Sequence, residues 1–558
     1  MKFLDDLYKI CQRFFASPRH VLLLALGIGL AEAVFLFFTP VFYRDSAVYF
    51  AMVRGIAVGN HELGFALPIT PLMPLLAAGL LPLGFSEQQA LYLINAAFML
   101  GVPFAVYGLF TMFLERKQAA WGALLFFLSP KLIRYGFSPL LDSGRWLFFP
   151  LSFFLLWRLA CDSRWCYAFY LGASFAGLAL TRSEGIVYVG LLSVFFCILA
   201  FRQDRLIRRQ WNWRSFAPRA GQLALALLIL GLLCLPRLWQ VGVVTGYPAL
   251  DIRQTWAVRG VCHQLNKLLG KGGAGQQVND VASAATTYGK ANDFDFAWLT
   301  DPAFNARFWS NQLHGAYEPY LVLAVLGIVL LWRRRKWRFE HTVFLCWFLA
   351  NLVMYAAMRS AAGRYFYINA LFLMPFTLVG LLAVIDWLKR QHWRKLQTRF
   401  LIAPTLIAIG SAQIINGIDN GFDREGNGFP AVGAELRARA AELSPRSGTP
   451  HPVYLTFGTN YGWGYFGNGN EIFYASSNHI NTLYMPEKIL AEGIPSRLAY
   501  YASDSLAAFP ILKPDVVIVS DSSPEQTAKV AALSGLTLWF EDSKYRIKVY
   551  RVTTESGR

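Results

Sequence analysis

Acidic and arginine side chains recur at the ends of the long apolar runs of this sequence. The recurring residues are Asp45, Asp142, Arg182 with Glu184, and Arg359 with Arg364. A carboxylate can accept a proton from a hydroxyl group or bind a metal ion, and an arginine can hold a phosphate through its planar fork. Each residue alone has a simpler explanation, because aspartates often cap helices and arginines at membrane boundaries extend into water. Their repetition favours a site for hydroxyl and phosphate chemistry.

The elements that carry these residues are those of a membrane protein. The chain has 558 residues, of which 55% are hydrophobic, 16% aromatic and 15% charged, and its mean hydropathy is +0.37. Such values are typical of polytopic membrane proteins rather than of soluble domains. The formal net charge of +18 does not indicate nucleic-acid binding, because lysines and arginines concentrate in short connections between apolar runs. The seven cysteines form no metal-binding or disulfide pattern.

The apolar runs predict about eleven membrane spans, with the N-terminus in the cytoplasm. They are 21–40, 87–113, 121–135, 146–157, 167–180, 186–201, 222–238, 321–332, 342–358, 366–387 and 401–415. Every strongly basic connection then falls on the inner side, and the acidic and arginine residues above fall on the outer side. Residues 1–416 are predicted to form a transmembrane catalytic domain with outer loops at 41–86 and 240–317. The connection from Gly136 to Arg145 is predicted to be exposed on the outer side.

The first outer loop carries the candidate catalytic residue Asp45. This residue follows Arg44 directly after the first span, where a carboxylate is costly unless it is paired or used. Tyr49 and the apolar residues at 52, 53 and 56 recur at helical spacing, which predicts a helix along the membrane surface. The prolines at 68, 71 and 74 predict an irregular segment after it. An interfacial anchor explains this stretch as well as a catalytic acid does.

The tail at 417–558 has no basic excess, and we interpret it as a small extracytoplasmic, soluble α/β domain. Short buried-strand runs occur at 453–456 and 516–519. Ser523, Pro524 and Glu525 predict the start of a helix, and Gly535 predicts its end. The runs at 536–540 and 545–552 predict a hairpin.

Several short motifs, taken in order, resemble those of a known family. They are Arg-Asp-Ser-Ala-Val-Tyr at 44–49, Pro-Leu-Met-Pro-Leu-Leu at 71–76, Leu-Ser-Pro at 128–130, Leu-Leu-Asp at 140–142, Thr-Arg-Ser-Glu-Gly at 181–185 and Arg-Tyr at 364–365. Their order is similar to that in multi-spanning glycosyltransferases with the C-type (GT-C) fold, in particular bacterial relatives of protein O-mannosyltransferases and the lipid A aminoarabinose transferases. The resemblance implies an α-helical polytopic membrane protein with a GT-C-like fold and a C-terminal soluble α/β domain.

The resemblance implies a bacterial inner-membrane enzyme that moves a sugar from a polyprenyl-phosphate carrier to an extracytoplasmic lipid, glycan or protein acceptor. Asp45 matches the catalytic acid of the family's first loop, which is proposed to activate the acceptor. Asp142 matches a second acid near the donor or a metal, and Arg364 matches a basic group near the lipid phosphate. The residues expected to bind substrate are Arg44, Tyr49, Arg182, Glu184, Arg364 and Tyr365.

Ser46 departs from the family pattern, because many relatives have Asp-Glu where this chain has Asp45-Ser46. A two-carboxylate motif is therefore missing, and the resemblance leaves open whether a divalent metal binds at Asp45 or Asp142. Two alternatives come from other classes: a membrane transporter or lipid flippase, and a non-catalytic glycan-binding relative. Transporters place ionisable groups near the middle of the membrane and are often built from two matching halves. This chain has no evident internal repeat and its charges lie at the outer rim, which favours the enzyme.

Overall fold

The structure, a computed structural model, describes residues 17–38, 44–59, 64–65, 69–162, 164–208, 213–245, 249–250, 302, 305–306, 308–310, 320–357, 367–390, 435, 438–439, 442–443, 454–457, 472–474, 500–503, 514–520, 524–533, 535–543 and 547–553. The chain forms two compact units. One consists of Met1–Thr39, Tyr92–Leu238 and Asp295–Gly421, and the other of Pro40–Leu91, Trp239–Phe294 and Phe422–Arg558. The domain boundary between 416 and 417 stays a prediction.

The apolar runs form helices because a helix satisfies its own backbone hydrogen bonds, which a membrane requires. They are α1 (Pro18–Phe38), α2 (Arg44–Ala57), α3 (Leu72–Ala78), α4 (Glu87–Phe110), α5 (Arg116–Phe127), α6 (Pro130–Gly136), α7 (Asp142–Asp162), α8 (Trp165–Thr181), α9 (Gly185–Arg208), α10 (Trp213–Thr245), α11 (Tyr320–Arg333), α12 (Phe339–Ala357) and α13 (Ile368–Arg390). Prolines lie inside α4, α7, α10 and α13. Membrane helices tolerate such prolines because neighbouring helices satisfy the freed backbone groups.

Five helices of the described part are long and apolar enough to cross a membrane. They are α1, α4, the Gly185–Arg202 part of α9, the Ala217–Val243 part of α10 and the Ile368–Trp387 part of α13. Helices α8, α11 and α12 are apolar but shorter. Each predicted span from 21–40 to 366–387 overlaps described helix, whereas the span predicted at 401–415 lies outside the described residues. The chain is an α-helical polytopic membrane protein, as the sequence predicts.

The span predicted at 121–135 is not one continuous helix, because the structure divides it into α5 and α6. Ser129 has an extended backbone, with ψ of 134°. Pro130 disfavours a helical conformation at the residue before it, so α5 cannot continue through Ser129. Pro130 then occupies the first turn of α6, where its missing N–H group would have no acceptor within the helix.

Helix α2 confirms the helix predicted after Asp45. It buries Tyr49 and Val53, which the sequence places on one face. Arg54 Nε donates to Glu87 Oε1 at 2.7 Å, which ties α2 to the start of α4. The predicted apolar stripe is therefore the packed face of this helix.

The irregular segment predicted across the prolines at 68, 71 and 74 is wrong from Leu72 onward. Helix α3 begins at Leu72, directly after Pro71. Pro74 lies buried within its first turn. The N–H groups of a first helical turn have no intrahelical acceptor, so a proline there removes no helical hydrogen bond.

The C-terminal tail contains a sheet and confirms the predicted strands. The elements are β1 (Tyr454–Phe457), β2 (Ile472–Tyr474), β3 (Tyr500–Ser503), β4 (Val516–Ser520), α14 (Pro524–Ala531), β5 (Leu536–Asp542) and β6 (Ile547–Val552). The strand order is β2-β3-β1-β4-β6-β5, parallel from β2 to β4 and antiparallel at β6 and β5. Gly535 follows α14 with φ of 81°, a left-handed conformation that glycine adopts without strain.

Helices α11 and α13 touch each other backbone to backbone. A Cβ atom on Gly327 would overlap the carbonyl oxygen of Phe376, and a Cβ atom on Gly380 would overlap the carbonyl oxygen of Leu323. Helix association in membranes depends on this kind of close approach, because lipid tails remove the hydrophobic drive between helices. The two glycines therefore set the distance between α11 and α13.

We expect Gly327→Ala to destabilise the protein by roughly 1–3 kcal/mol, the usual cost of overpacking a closely packed interior. The measurement is the temperature at which half of the purified, detergent-solubilised protein leaves the monodisperse peak in size-exclusion chromatography. Gly231→Ala in α10 is the matched control, since nothing lies within 4 Å of the position that a Cβ atom on Gly231 would occupy. Equal melting temperatures for the two variants would contradict the close approach.

Candidate active site

Asp142 is the first residue of α7 and lies buried, with 1% of its side chain exposed. Its Oδ1 atom accepts a hydrogen bond from Arg182 Nη1 at 3.0 Å. The same oxygen accepts from Arg145 Nη2 at 3.4 Å, one helical turn further along α7. A buried carboxylate is costly unless it is paired and hydrogen-bonded. Here two arginines supply both the charge and the donors.

Arg182 also forms a two-point ion pair with Glu184. Its Nε atom donates to Oε2 and its Nη2 atom to Oε1, each at 3.2 Å. Arg182 is thus shared between two carboxylates, and the two acids and two arginines of this group cancel in formal charge. We call Asp142, Arg145, Arg182 and Glu184 the ionic cluster.

The cluster keeps Glu184 ionised. Burial alone would raise the pKa of Glu184, but the charges of Arg182 and Arg145 outweigh it and hold the pKa at about 2, against an ordinary 4.5. A lowered pKa in the folded state means that the ionised group stabilises the fold above its ordinary pKa. This contribution is lost as the pH falls from about 4.5 towards 2.

A chain of hydrogen bonds extends from the cluster to α9 and α12. Arg145 Nη1 donates to the Tyr355 hydroxyl at 2.8 Å, and the hydroxyls of Tyr355 and Tyr188 lie 3.0 Å apart. Tyr188 donates to Asn351 Oδ1 at 2.8 Å. The amide of Asn351 in turn donates to the Trp347 carbonyl at 3.0 Å. Three helices are therefore joined through buried polar groups.

Local backbone geometry brings Asp142 next to Arg182. Gly144 allows α7 to approach the end of α8, since a Cβ atom there would overlap the side chain of Thr181. Arg182 is extended, with φ of −151° and ψ of 146°, and ends α8. The Gly185 N–H group donates to the Arg182 carbonyl at 2.9 Å, which closes a tight turn before α9. This turn presents Arg182 and Glu184 together.

A second polar contact fixes the start of α7 on α4. The Ser143 hydroxyl donates to Asn95 Oδ1 at 2.7 Å, and both side chains are buried. Since Ser143 follows Asp142 directly, this bond holds the residue that accepts both arginine hydrogen bonds. The start of α7, and Asp142 with it, is therefore anchored to α4.

The expectation of an exposed connection from Gly136 to Arg145 is wrong. All ten residues are buried, and α7 begins at Asp142, four residues before the predicted start. The physical reason is the cluster itself, because Asp142 balances the charge of Arg145, whose two Nη atoms donate to Asp142 and Tyr355. This pairing offsets part of the cost of burying the charge.

The structure brings together three of the residues predicted from sequence: Asp142, Arg182 and Glu184. Arg44 and Asp45 are the first two residues of α2, with side chains outside the described part, and Tyr49 lies buried on the same helix. Arg364 and Tyr365, like Arg359, lie outside the described residues. Sequence reasoning missed Arg145, Tyr188, Asn351 and Tyr355. Arg145 alone had a visible signal, because it lies three residues after Asp142 and therefore on the same helical face.

Asp142 is poorly placed to hold a metal ion in this arrangement. One of its oxygens already accepts from two guanidinium groups, whose positive charges repel an incoming cation. Within the described ranges, no group of three or more histidine, cysteine, aspartate or glutamate residues lies close enough to bind a metal. A metal at Asp45 stays a prediction.

Comparison with known proteins identifies the fold. No family model matches the sequence, and no curated protein matches it. The solved structure of ArnT from Cupriavidus metallidurans bound to undecaprenyl phosphate is similar at 13% identity and a TM-score of 0.51, covering 94% of this chain and 97% of that one. The archaeal oligosaccharyltransferase AglB from Archaeoglobus fulgidus, in complex with an inhibitory peptide and a dolichol-phosphate, is similar at 13% identity and a TM-score of 0.52. That likeness covers 90% of this chain and 69% of AglB.

Both structures have the GT-C fold of membrane glycosyltransferases. The chain has this fold, and the likeness to ArnT covers 94% of its length. The resemblance that the sequence motifs indicate is therefore confirmed at the level of the fold.

We expect Arg182→Met to destabilise the protein by roughly 3–5 kcal/mol, because it leaves Glu184 as a buried carboxylate without its ion pair. The double variant Arg182→Met/Glu184→Met removes both members and leaves Asp142 with Arg145, so the buried charge is again zero. We expect the double variant to melt at a temperature closer to that of wild type than the single variant Arg182→Met does. Apolar replacement of both members of a buried ion pair often leaves stability unchanged. Thermal unfolding of the three purified proteins checks this. Additive losses in the double variant would contradict the ion pair.

Proposed function

We propose that this protein is an integral-membrane glycosyltransferase that moves a sugar from a polyprenyl-phosphate carrier to a lipid, glycan or protein acceptor outside the cytoplasm. The observation that carries the proposal is the likeness, over most of the chain, to two GT-C structures, one with undecaprenyl phosphate and one with dolichol-phosphate. The buried ionic cluster, at the start of a helix in that fold, adds a second line of support.

In the proposed reaction, Asp45 accepts the proton of an acceptor hydroxyl. The hydroxyl oxygen forms a bond to the anomeric carbon of the sugar while the bond from that carbon to the phosphate oxygen breaks. The electron pair of the broken bond leaves on the polyprenyl phosphate. The sugar centre develops oxocarbenium character, as in glycoside chemistry, and one direct displacement inverts the anomeric configuration.

Arg364 is proposed to stabilise the departing phosphate, because a guanidinium matches two phosphate oxygens at once. Arg182 is assigned a different role. Its Nε and both Nη atoms already donate to Asp142 and Glu184, so it acts as a positioning residue that holds Asp142 in place. Asp142 is proposed to lie near the donor sugar. Arg44, Tyr49 and Tyr365 are the further proposed substrate contacts.

The proposed location is a bacterial inner membrane, with the C-terminal domain outside. The support is the charge distribution, because the strongly basic connections alternate with those that carry Asp45, Asp142 and Glu184. The active site then lies on the outer side, where a lipid-linked sugar meets an extracytoplasmic acceptor.

We expect Asp45→Asn to lower sugar transfer by roughly 100-fold or more, the usual scale for loss of a general base. Asparagine keeps the size of the side chain but cannot take the proton. The measurement is transfer of a radiolabelled sugar from a polyprenyl-phosphate donor by the purified variant, with membranes as the source of acceptor.

Asp162→Asn is the matched control. Asp162 is the last residue of α7, at the end opposite to Asp142, and forms an exposed ion pair with Arg158. Such pairs contribute about 1 kcal/mol or less to stability. Its transfer rate should match that of wild type. Wild-type transfer by well-folded Asp45→Asn would leave the first loop as a membrane anchor.

The same assay applied to Arg364→Lys should show weaker use of the donor, because lysine keeps the charge but lacks the planar fork that holds two phosphate oxygens.

A further inference from the structure

A groove of about 370 Å³ opens between the C-terminal ends of α11 and α13. Its wall is apolar and consists of Leu326, Leu330, Ala383 and Val384. The volume lies within the range of small-molecule sites in proteins, about 300–1,000 Å³. The groove is thus large enough for a ligand, and its apolar wall favours an apolar ligand.

The mouth of the groove is charged. Arg334 and Arg390 lie there together with Asp386, so two arginines and one aspartate leave one net positive charge. Arg334 follows the last residue of α11, and Arg390 is the last residue of α13. A ligand that fits both parts has an apolar body and a head with one negative charge.

Two exposed tryptophans mark this level of the bundle. Trp387 lines the groove and is 58% exposed, and Trp332 on α11 is 72% exposed. Tryptophans gather at the boundary between lipid tails and headgroups, where the ring is half apolar and half wet. The arginines at the mouth therefore lie at headgroup depth, and the apolar wall lies among the acyl chains.

We propose that this groove binds an anionic phospholipid of the surrounding membrane. The phosphodiester head, with one negative charge, lies between Arg334 and Arg390, and an acyl chain lies along Leu326 and Val384. Basic pockets between membrane helices, next to basic connections, are typical sites for anionic headgroups. The connection after α11 is of this kind, since 333–338 contains five arginine and lysine residues with one tryptophan.

This lipid site is separate from the ionic cluster. The basic connection after α11 leads into α12, and α12 runs for 19 residues, or about 28 Å, before it ends. Tyr355, whose hydroxyl accepts a hydrogen bond from Arg145 of the cluster, lies in the last turn of that helix. The lipid site and the cluster therefore lie towards opposite ends of α12.

Native mass spectrometry of the purified protein in detergent tests the proposal. The protein is titrated with phosphatidylglycerol or with phosphatidylcholine of the same acyl chains, and bound lipid is counted. We expect wild type to retain phosphatidylglycerol in preference to phosphatidylcholine. Arg334→Gln/Arg390→Gln should weaken phosphatidylglycerol binding by roughly 25-fold, at about fivefold for each arginine near an anionic headgroup.

Arg333→Gln/Arg335→Gln is the matched control, because it also removes two positive charges, one on each side of Arg334, from residues that do not line the groove. It should retain phosphatidylglycerol as wild type does. Equal losses in both variants would overturn the proposal, since the effect would then come from general surface charge. Displacement by inorganic phosphate alone would overturn it too, because the ligand would be a free anion. A second copy of the chain in the groove would overturn it too: light scattering would then show wild type as a dimer and Arg334→Gln/Arg390→Gln as a monomer, with equal phosphatidylglycerol binding by both.

Discussion

The structure depends on the position of Arg182 between Asp142 and Glu184. All three nitrogen atoms of its guanidinium donate hydrogen bonds to these two buried carboxylates, and Arg145 completes the charge balance. Removing one member of such a group would leave an uncompensated, buried charge. The cluster therefore couples the start of α7, the turn between α8 and α9, and the end of α12, because none of them can move away without exposing a charge to an apolar interior.

This arrangement constrains the chemistry that each residue can perform. A guanidinium already committed to two carboxylates holds an acid in place better than it captures a phosphate. Asp142, anchored by two arginines and followed by a serine that binds Asn95, is correspondingly fixed. The proton acceptor and the phosphate contact are therefore proposed elsewhere, at Asp45 and Arg364.

The helices were predictable from sequence because a membrane helix is specified locally. An apolar run of sufficient length forms a helix, which satisfies its own backbone hydrogen bonds within the membrane. The same holds for β4, whose four consecutive valine and isoleucine residues predict a buried strand. The cluster was predictable only in part. Arg145 and Tyr355 lie 210 residues apart, and nothing in either stretch predicts their contact. The break at Ser129 followed from Pro130, whereas the burial of 136–145 required knowledge of the partners of Arg145.

The two functional hypotheses, a glycosyltransferase and a lipid flippase, differ most directly in what happens to the polyprenyl-phosphate carrier. The measurement uses proteoliposomes that contain the purified protein, a polyprenyl-phosphate sugar labelled in both parts, and acceptor-bearing membranes. A glycosyltransferase leaves unglycosylated polyprenyl phosphate, one for each sugar transferred, and the product has the opposite anomeric configuration by NMR. Recovery of the intact labelled carrier in the other leaflet, with its sugar still attached, would contradict sugar transfer as the function of this protein.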